Sequence, residues 1–311
     1  MPMMREPYQE SFGSHVLAEA FQPTLPYYFR TCTPHRLAYQ ASWLWSGIQD
    51  EEGNRYACMR EWKTEYSLNV LVSKLDNDPQ AVGSRIYKRL NMGMIDFEMD
   101  TDQQRVQIQP PFAPGAFQVT VRPQHYRWTD ADGELELEFR ALGPALKYLC
   151  PGEREDGLYV SEFCRVTGTL QGKPVKGFGG MDCAFGTPGI GWLQSKIYRL
   201  LEKYWIVWAN RYEDESVEYG ICFDGEADFN SAFIVRDGRA RISGCSIRVR
   251  EFEDGFPHQA DVTMGNEQYV FETTARVSKI KGFMQWANGH MNRQGDESKI
   301  VERFGWLEFF G

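Results

Sequence analysis

Short segments in which apolar and polar residues alternate recur along this chain and restrict its fold more than any other feature. In GELELEFRAL, residues 133–142, Leu135, Leu137 and Phe139 share one side and glutamates occupy the other, a pattern typical of a half-buried strand. Similar segments are ARISGCSIRVREF, VEYGICF and YVFETTARVSKI. Asp-Gly pairs, which favour hairpin turns, occur at 132/133, 156/157, 224/225, 237/238 and 254/255. The chain is therefore predicted to be all-β, with barrels or sandwiches.

Helical periodicity is confined to two stretches. GWLQSKIYRLLEKYW, residues 191–205, repeats apolar residues at helical spacing after a Pro/Gly break. PQAVGSRIYKRL, residues 79–90, places Val82, Ile86 and Leu90 on one stripe behind Pro79. We therefore expect one or two short helices beside the strands.

The chain is long enough, at 311 residues, for two domains of ordinary size. The glycine-rich stretch from Gly177 to Gly191 separates strand-like segments on both sides. We therefore predict an N-terminal β-domain over residues 1–188 and a C-terminal β-domain over residues 189–311.

Charge and composition exclude several classes of partner. A formal net charge of -9 without a compensating basic cluster disfavours nucleic acid. Because there is no run of 18 apolar residues and no basic, apolar start, we predict no membrane span and a cytoplasmic location. The seven cysteines and five histidines form no pattern with metal-ligand spacing, so no metal site is predicted.

The stretch GKPVKGFGGMDCAFGTPG, residues 172–189, raises the question of what Asp182 does. It is expected to lie in a glycine-rich turn beside apolar residues, where desolvation would raise its pKa and suit it to acid–base work. The alternative is a carboxylate that caps amides of the turn. Its neighbour Cys183 is either a covalent nucleophile, which would need a base, or a small buried residue.

The segment YVSEFCRVTGTLQGKPVKGFGGMDCAFG, residues 159–186, resembles the hydroxyneurosporene synthase (carotenoid hydratase) and AttH-like family, which also includes fungal Diels-Alderases. The resemblance implies two lipocalin-like barrels or curved sheets side by side, a hydrophobic pocket at their junction, and greasy substrates transformed without a redox cofactor. This sequence departs from the family pattern at Gly180, Cys183 and Phe185, where aromatic, His and Trp residues are usual. The matching positions are Val166, Gly168, Leu170, Gly177, Gly179, Asp182 and Gly186.

The C-terminal FGWLEFFG is similar to the closing strand of that family, with Trp306 and Glu308 in register. Alternation places Trp306, Glu308 and Phe310 on one face of the strand. Either all three side chains are buried, Glu308 included, or all three are exposed, and we favour burial. Glu308 is thus a second catalytic candidate. His290 is a third, as a general base, against the alternative of a histidine hydrogen-bonded in a loop.

Aromatic residues at alternate strand positions are candidates for the wall of a substrate pocket, and core packing is the competing explanation. Their π faces could stabilise a developing positive charge. The candidates are Trp43, Trp45, Phe178, Phe185, Tyr204, Trp208, Trp286 and Trp306.

Other enzyme classes lose support because their motifs are missing. GFGGMDCAFG lacks the third glycine of a dinucleotide loop, and no GxSxG occurs. The leading hypothesis is a lyase, isomerase or cyclase that acts on a hydrophobic small molecule and uses no cofactor. The alternatives are a non-catalytic carrier of a hydrophobic ligand and a structural module without a deep pocket. A homodimer is possible in each case.

Overall fold

A computed structural model of the chain describes residues 17–28, 33–87, 93–113, 116–130, 133–150, 156–201, 203–227, 229–278 and 284–310. The chain divides into two compact units. Glu19–Lys74 and Ser84–Trp192 form the N-terminal unit, and Leu75–Gly83 belongs with the C-terminal unit that continues from Leu193. The division after Trp192 lies four residues beyond the boundary predicted after residue 188. The sequence does not predict that Leu75–Gly83 belongs to the C-terminal unit.

The described residues form an almost purely β structure, which confirms the predicted fold class. One 14-stranded antiparallel sheet carries the N-terminal unit and curves into a half-barrel. Its strands are β1 Leu17–Phe21, β2 Ala38–Asp50, β3 Arg55–Lys63, β4 Tyr66–Lys74, β5 Ser84–Arg85, β6 Gly93–Met94, β7 Asp96–Asp100, β8 Arg105–Gln109, β9 Phe117–Arg122, β10 His125–Asp130, β11 Leu135–Ala141, β12 Ala145–Cys150, β13 Gly157–Leu170 and β14 Lys173–Gly186.

The strand order places β14 between β2 and β13 in the middle of this sheet. We call the face that bears the buried apolar core, with Leu44, Val160 and Met181, the inner face, and its opposite the outer face. Because successive strand residues alternate between the faces, Asp182 lies on the outer face of β14. It pairs in register with Ser161 of β13.

The glycine-rich stretch is an extended strand, so the turn predicted around Asp182 is wrong. The turn lies earlier, at Gln171 and Gly172, where φ values of 52° and 75° connect β13 to β14 as a type I′ hairpin requires. Within β14 the glycines permit close approach. A Cβ on Gly177 would lie 2.1 Å from the Gly47 carbonyl oxygen, and one on Gly180 would lie 2.3 Å from the Trp45 ring.

A 9-stranded antiparallel sheet forms the C-terminal unit and nearly closes into a barrel. Because the barrel is nearly closed, the strand at one end of the sheet, Cys245–Glu251, lies beside Val217–Asp224 near the other end. The Ile247 N–H donates to Asp224 Oδ2 at 2.8 Å. The Asp237-Gly238 pair forms the predicted tight turn, with φ values of 51° and 68°. The strands are β15 Tyr204–Tyr212, β16 Val217–Asp224, β17 Asn230–Arg236, β18 Arg239–Ser243, β19 Cys245–Glu251, β20 Pro257–Met264, β21 Glu267–Ser278, β22 Met284–Arg293 and β23 Ile300–Phe310.

Of the two predicted helices, the described residues contain one, α1 Lys196–Leu201, and it is shorter than its sequence pattern. Among the described residues, 3₁₀ turns lie at Leu25–Tyr28, Pro34–Arg36 and Trp192–Gln194. None of the described helices is long and apolar enough to cross a bilayer.

The helix predicted over 79–90 is wrong. The Gly83 N–H donates to the Arg276 carbonyl oxygen at 2.8 Å, and Ser84–Arg85 pairs with β4. Pairing with distant strands thus overrides a weak local periodicity. Leu90, the last residue of the predicted stripe, lies outside the described residues.

Candidate active site

Asp182 is a buried carboxyl group on the outer face of β14, held through one of its two oxygens. Trp45 Nε1–H donates to Oδ2 at 2.8 Å, and the Tyr159 hydroxyl donates to the same oxygen at 2.6 Å. Both donors lie diagonally across the ladder: the Cα partners of Asp182 are Trp43 and Ser161, each two residues from a donor. Alternation along three neighbouring strands therefore builds this cluster.

Burial governs the acidity of Asp182, which is 7% exposed. It raises the pKa to about 6, against the opposing effect of the hydrogen bonds from Tyr159 and Trp45. The Ser161 hydroxyl also favours the charged form, but it does not meet the geometry of a hydrogen bond. Among the described residues Oδ1 has no hydrogen-bond partner. Asp182 thus has one oxygen held by two donors and one buried oxygen without a hydrogen-bond partner among the described residues.

Aromatic rings surround this carboxyl group. The Tyr159 ring stacks on Trp192 at 6.0 Å with an interplanar angle of 23°, and the half-buried Trp43 lies 5.4 Å from Trp192. Trp45 makes an edge contact with Phe163 at 5.5 Å. The predicted Trp43 and Trp45 therefore belong to the Asp182 cluster, together with Tyr159, Phe163 and Trp192, which sequence reasoning missed.

Replacing the Tyr159 hydroxyl tests the electrostatics of this cluster. The hydrogen bond from Tyr159 lowers the pKa of Asp182, so we expect Tyr159→Phe to raise that pKa above about 6. The change can be followed by ¹³C NMR titration of aspartate-labelled protein. Tyr39→Phe is the control, because that buried hydroxyl donates to Ser42. An Asp182 titration that is the same in wild type and Tyr159→Phe would contradict the assignment.

The other predicted residues of this unit divide between the two faces. Phe178 is buried on the outer face, 4.8 Å from the Arg165 guanidinium. Phe185 lies on the inner face, with its ring centre 5.8 Å from that of Tyr39, because it is three positions after Asp182 and so points to the opposite face. Cys183 is also buried on the inner face and accepts a hydrogen bond from Ser42 Oγ at 3.2 Å. Neither Phe185 nor Cys183 points toward the Asp182 cluster.

Glu308 and His290 lie in the C-terminal unit, on the face of its sheet opposite the buried core. Trp306 is buried, and its Nε1–H donates to Glu308 Oε1 at 3.2 Å. The Trp286 ring lies 6.2 Å from Trp306. Glu308 and His290 are half-buried, and the Cα partner of His290 is Glu272. Glu308 thus has two tryptophans beside it, whereas the side chain of Phe310 is outside the described set.

Tyr204 and Trp208 face the core of the C-terminal unit. Trp208 is fully buried and donates from Nε1 to Glu218 Oε1 at 3.4 Å. Tyr204 packs against the same core. For these two aromatics the arrangement matches core packing, the competing explanation given above. In the part of the chain that the structure describes, no group of three His, Cys, Asp or Glu side chains is placed to hold a metal ion.

A second buried acid, Glu162, lies on the inner face of β13 and was also missed. The Tyr28 hydroxyl donates to Glu162 Oε2 at 3.1 Å. The Tyr126 hydroxyl, whose single proton serves one acceptor at a time, lies at hydrogen-bond distance from both Glu162 Oε2 and the Tyr28 oxygen, the latter at 2.6 Å. Burial raises the pKa of Glu162 to about 7. A sequence signal was present, because Glu162 is the one charge in LYVSEFC, residues 158–164, an otherwise uncharged segment of β13.

The same inner face contains a buried ion pair between Arg60 and Asp130, whose side chains are both 0% exposed. Arg60 also donates to Ser67 Oγ at 2.5 Å, and its guanidinium lies 3.8 Å from the centre of the Phe117 ring. Trp128 Nε1–H donates to Asp130 Oδ2 at 3.2 Å. The half-barrel interior therefore combines apolar packing with fixed polar groups.

Comparison with known proteins gives structural similarity at low identity. No family model matches the chain, and no curated protein matches it. An AttH-type protein of Nitrosomonas europaea is similar with a TM-score of 0.41 and 12% identity, over 87% of this chain and 92% of that one. Kievitone hydratase from Nectria haematococca is similar with a TM-score of 0.40 and 10% identity, over 87% of this chain and 88% of that one. Membership of the family that the sequence resembles therefore stays a prediction.

Proposed function

We propose that this chain is a cofactor-independent enzyme that adds water to, or removes it from, a hydrophobic small molecule, with Asp182 as general acid and base. Isomerisation or cyclisation of such a substrate would use the same proton chemistry. The substrate class we favour is an isoprenoid, polyketide or aromatic compound with a polarised or electron-rich double bond.

The observation that carries this proposal is the unequal state of the two Asp182 oxygens. Oδ2 is held by Trp45 and Tyr159, while Oδ1 has no partner among the described residues. A carboxyl group with a pKa of about 6 is populated in both protonation states near neutral pH, which general acid–base catalysis requires. In this proposal Oδ1 is the oxygen that gives and takes the proton, and the two hydrogen bonds to Oδ2 fix the orientation of the carboxyl group.

The reaction balances without electron transfer. Protonated Asp182 gives its proton to one carbon of the double bond, and water attacks the adjacent carbon. The resulting carboxylate then takes the proton from the added water, which restores the acid. The indole faces of Trp43 and Trp45 would stabilise positive charge that develops on the substrate, and dehydration is the same sequence in reverse.

Asp182→Asn is the direct test of this role. We expect it to lower kcat at least about 100-fold while ligand binding persists, since a positioned acid–base group contributes roughly 10² to 10⁴ in rate. Activity can be screened with isoprenoid alkenes, enones and isoflavonoids in ¹⁸O-labelled water, with product mass as the readout. Asp50→Asn is a matched control: Asp50 has the same 7% exposure in the same unit but binds the 51–54 turn.

The outcomes separate the enzyme from the carrier. Loss of ¹⁸O incorporation in Asp182→Asn but not in Asp50→Asn supports the proposal. Tight binding of these compounds by wild type without any turnover would instead identify a hydrophobic-ligand carrier. Equal turnover by wild type and Asp182→Asn would remove Asp182 from the mechanism.

A further inference from the structure

We propose that the inner face of the N-terminal sheet carries a second ligand site, centred on Glu162, that binds an uncharged apolar molecule through a hydroxyl or carbonyl group. Glu162 and Asp182 occupy the same strand pair but opposite faces. The site is therefore separate from the candidate active site and does not depend on the function proposed for it.

The Glu162 carboxyl group at the centre of this site has hydrogen-bond partners on only one of its two oxygens among the described residues. Glu162 is 0% exposed, and Tyr28 and Tyr126 both bind its Oε2. Its Oε1 is buried and has no hydrogen-bond partner among the described residues. A buried polar atom left unpaired costs roughly 1–3 kcal/mol, and native proteins almost always pair such atoms with protein, water or ligand.

Two further polar atoms on the same core share this state. Trp62 Nε1 and the Tyr87 hydroxyl are buried in the N-terminal core and have no hydrogen-bond partner in the described part of the chain. Both are donors, and they differ in that respect from the carboxyl oxygen of Glu162. The described part of the N-terminal core thus contains unpaired donor atoms as well as the unpaired acceptor at Glu162.

The surroundings select an uncharged guest. Arg60 already pairs with Asp130. Lys147, the Cα partner of Val160, pairs with Glu19 at 3.1 Å, so neither of these cations is left without a carboxylate. The residues flanking Glu162 on this face, Val160 and Cys164, are fully buried and uncharged. An alcohol, phenol or ketone can bond to a carboxyl group in either protonation state, because the group accepts when ionised and donates when protonated.

Binding of 2-naphthol tests the site in solution, with naphthalene as the matched probe that lacks the hydroxyl. Fluorescence titration of wild type is expected to give a Kd at least about tenfold lower for 2-naphthol than for naphthalene, since one good hydrogen bond is worth about that ratio. Glu162→Leu should abolish the difference, and the hydrogen bond between Tyr28 and Tyr126 remains in it. Asp182→Asn should preserve the difference, so the fate of this site is independent of the proposed function.

Crystals of wild type with 6-bromo-2-naphthol supply a test that needs no variant to fold. The expected result is an anomalous bromine peak in the half-barrel interior, with the phenol oxygen at hydrogen-bond distance from Glu162 Oε1. A water molecule alone at Oε1, with bromine elsewhere or absent, overturns the proposal. Equal affinity of wild type for naphthalene and 2-naphthol, or loss of the preference in Asp182→Asn alone, overturns it as well.

Discussion

Arg60→Met is expected to lower the free energy of unfolding by about 3–5 kcal/mol, the usual cost of removing one partner from a buried ion pair. The variant leaves the Asp130 carboxylate at 0% exposure without its counter-charge. It also removes the guanidinium that lies 3.8 Å from the Phe117 ring centre. Urea denaturation at neutral pH measures the change.

Lys173→Met is the control for this prediction. Lys173 pairs with Glu52 at 2.8 Å, but the side chains are 50% and 64% exposed, and pairs in water contribute at most about 1 kcal/mol. Combining Arg60→Met with Asp130→Leu should recover part of the loss, because no charge then remains buried. Equal destabilisation by Arg60→Met and Lys173→Met would show that the buried pair contributes no more than the exposed one.

The stability that Asp182 and Glu162 contribute is expected to fall as pH rises from about 4 to about 7, because both are buried acids with raised pKa values. Their pKa values move from 3.8 and 4.5 to about 6 and about 7 on folding. The folded state binds the proton more tightly than the unfolded state does. The stability that these two groups contribute is therefore complete below the pKa of the unfolded state, and it is lost as pH rises through the pKa of the folded state. Each shift corresponds to up to about 3 kcal/mol.

Paired variants isolate this effect from that of the other carboxyl groups. We expect the unfolding free energy of Glu162→Gln, relative to wild type, to increase by up to about 3 kcal/mol between pH 4.5 and pH 8. Asp182→Asn should show most of its change by about pH 6.5. Asp50→Asn is the control of opposite sign, because hydrogen bonds from Asn54 and Tyr56 hold the pKa of Asp50 below its usual value. A constant difference between Glu162→Gln and wild type at all pH values would contradict the buried-acid description.

Local pattern was sufficient to predict the strands but not the setting of Asp182. The alternation in GELELEFRAL predicts β11, and its Leu135, Leu137 and Phe139 are all fully buried. The glycines before Asp182 also suggested a turn, because glycine is common there. In the folded chain they lie where β2 and β13 approach β14, and a single sequence does not distinguish a close approach from a turn.

The partners of Asp182 could not be derived for a second reason. Trp45 is 137 residues away in sequence and Tyr159 is 23 away, so their hydrogen bonds depend on strand order and register. Trp45 was a candidate for the pocket wall because of its alternation with Trp43, but nothing local indicates that its N–H binds a carboxylate. Glu162 is different, since a single charge in the otherwise uncharged segment LYVSEFC is visible in the sequence itself.

The hairpin of β13 and β14 places a constraint on chain length as well as on residue identity. Inserting one residue in β14 before Asp182 would exchange the faces of the residues that follow, so Asp182 would enter the apolar core and Met181 would replace it beside Trp45. Gly177 and Gly180 would at the same time leave the positions where only glycine fits. Length variation in β14 is thus restricted to even numbers of residues at best. An insertion scan should find this strand intolerant at positions where single substitutions are accepted.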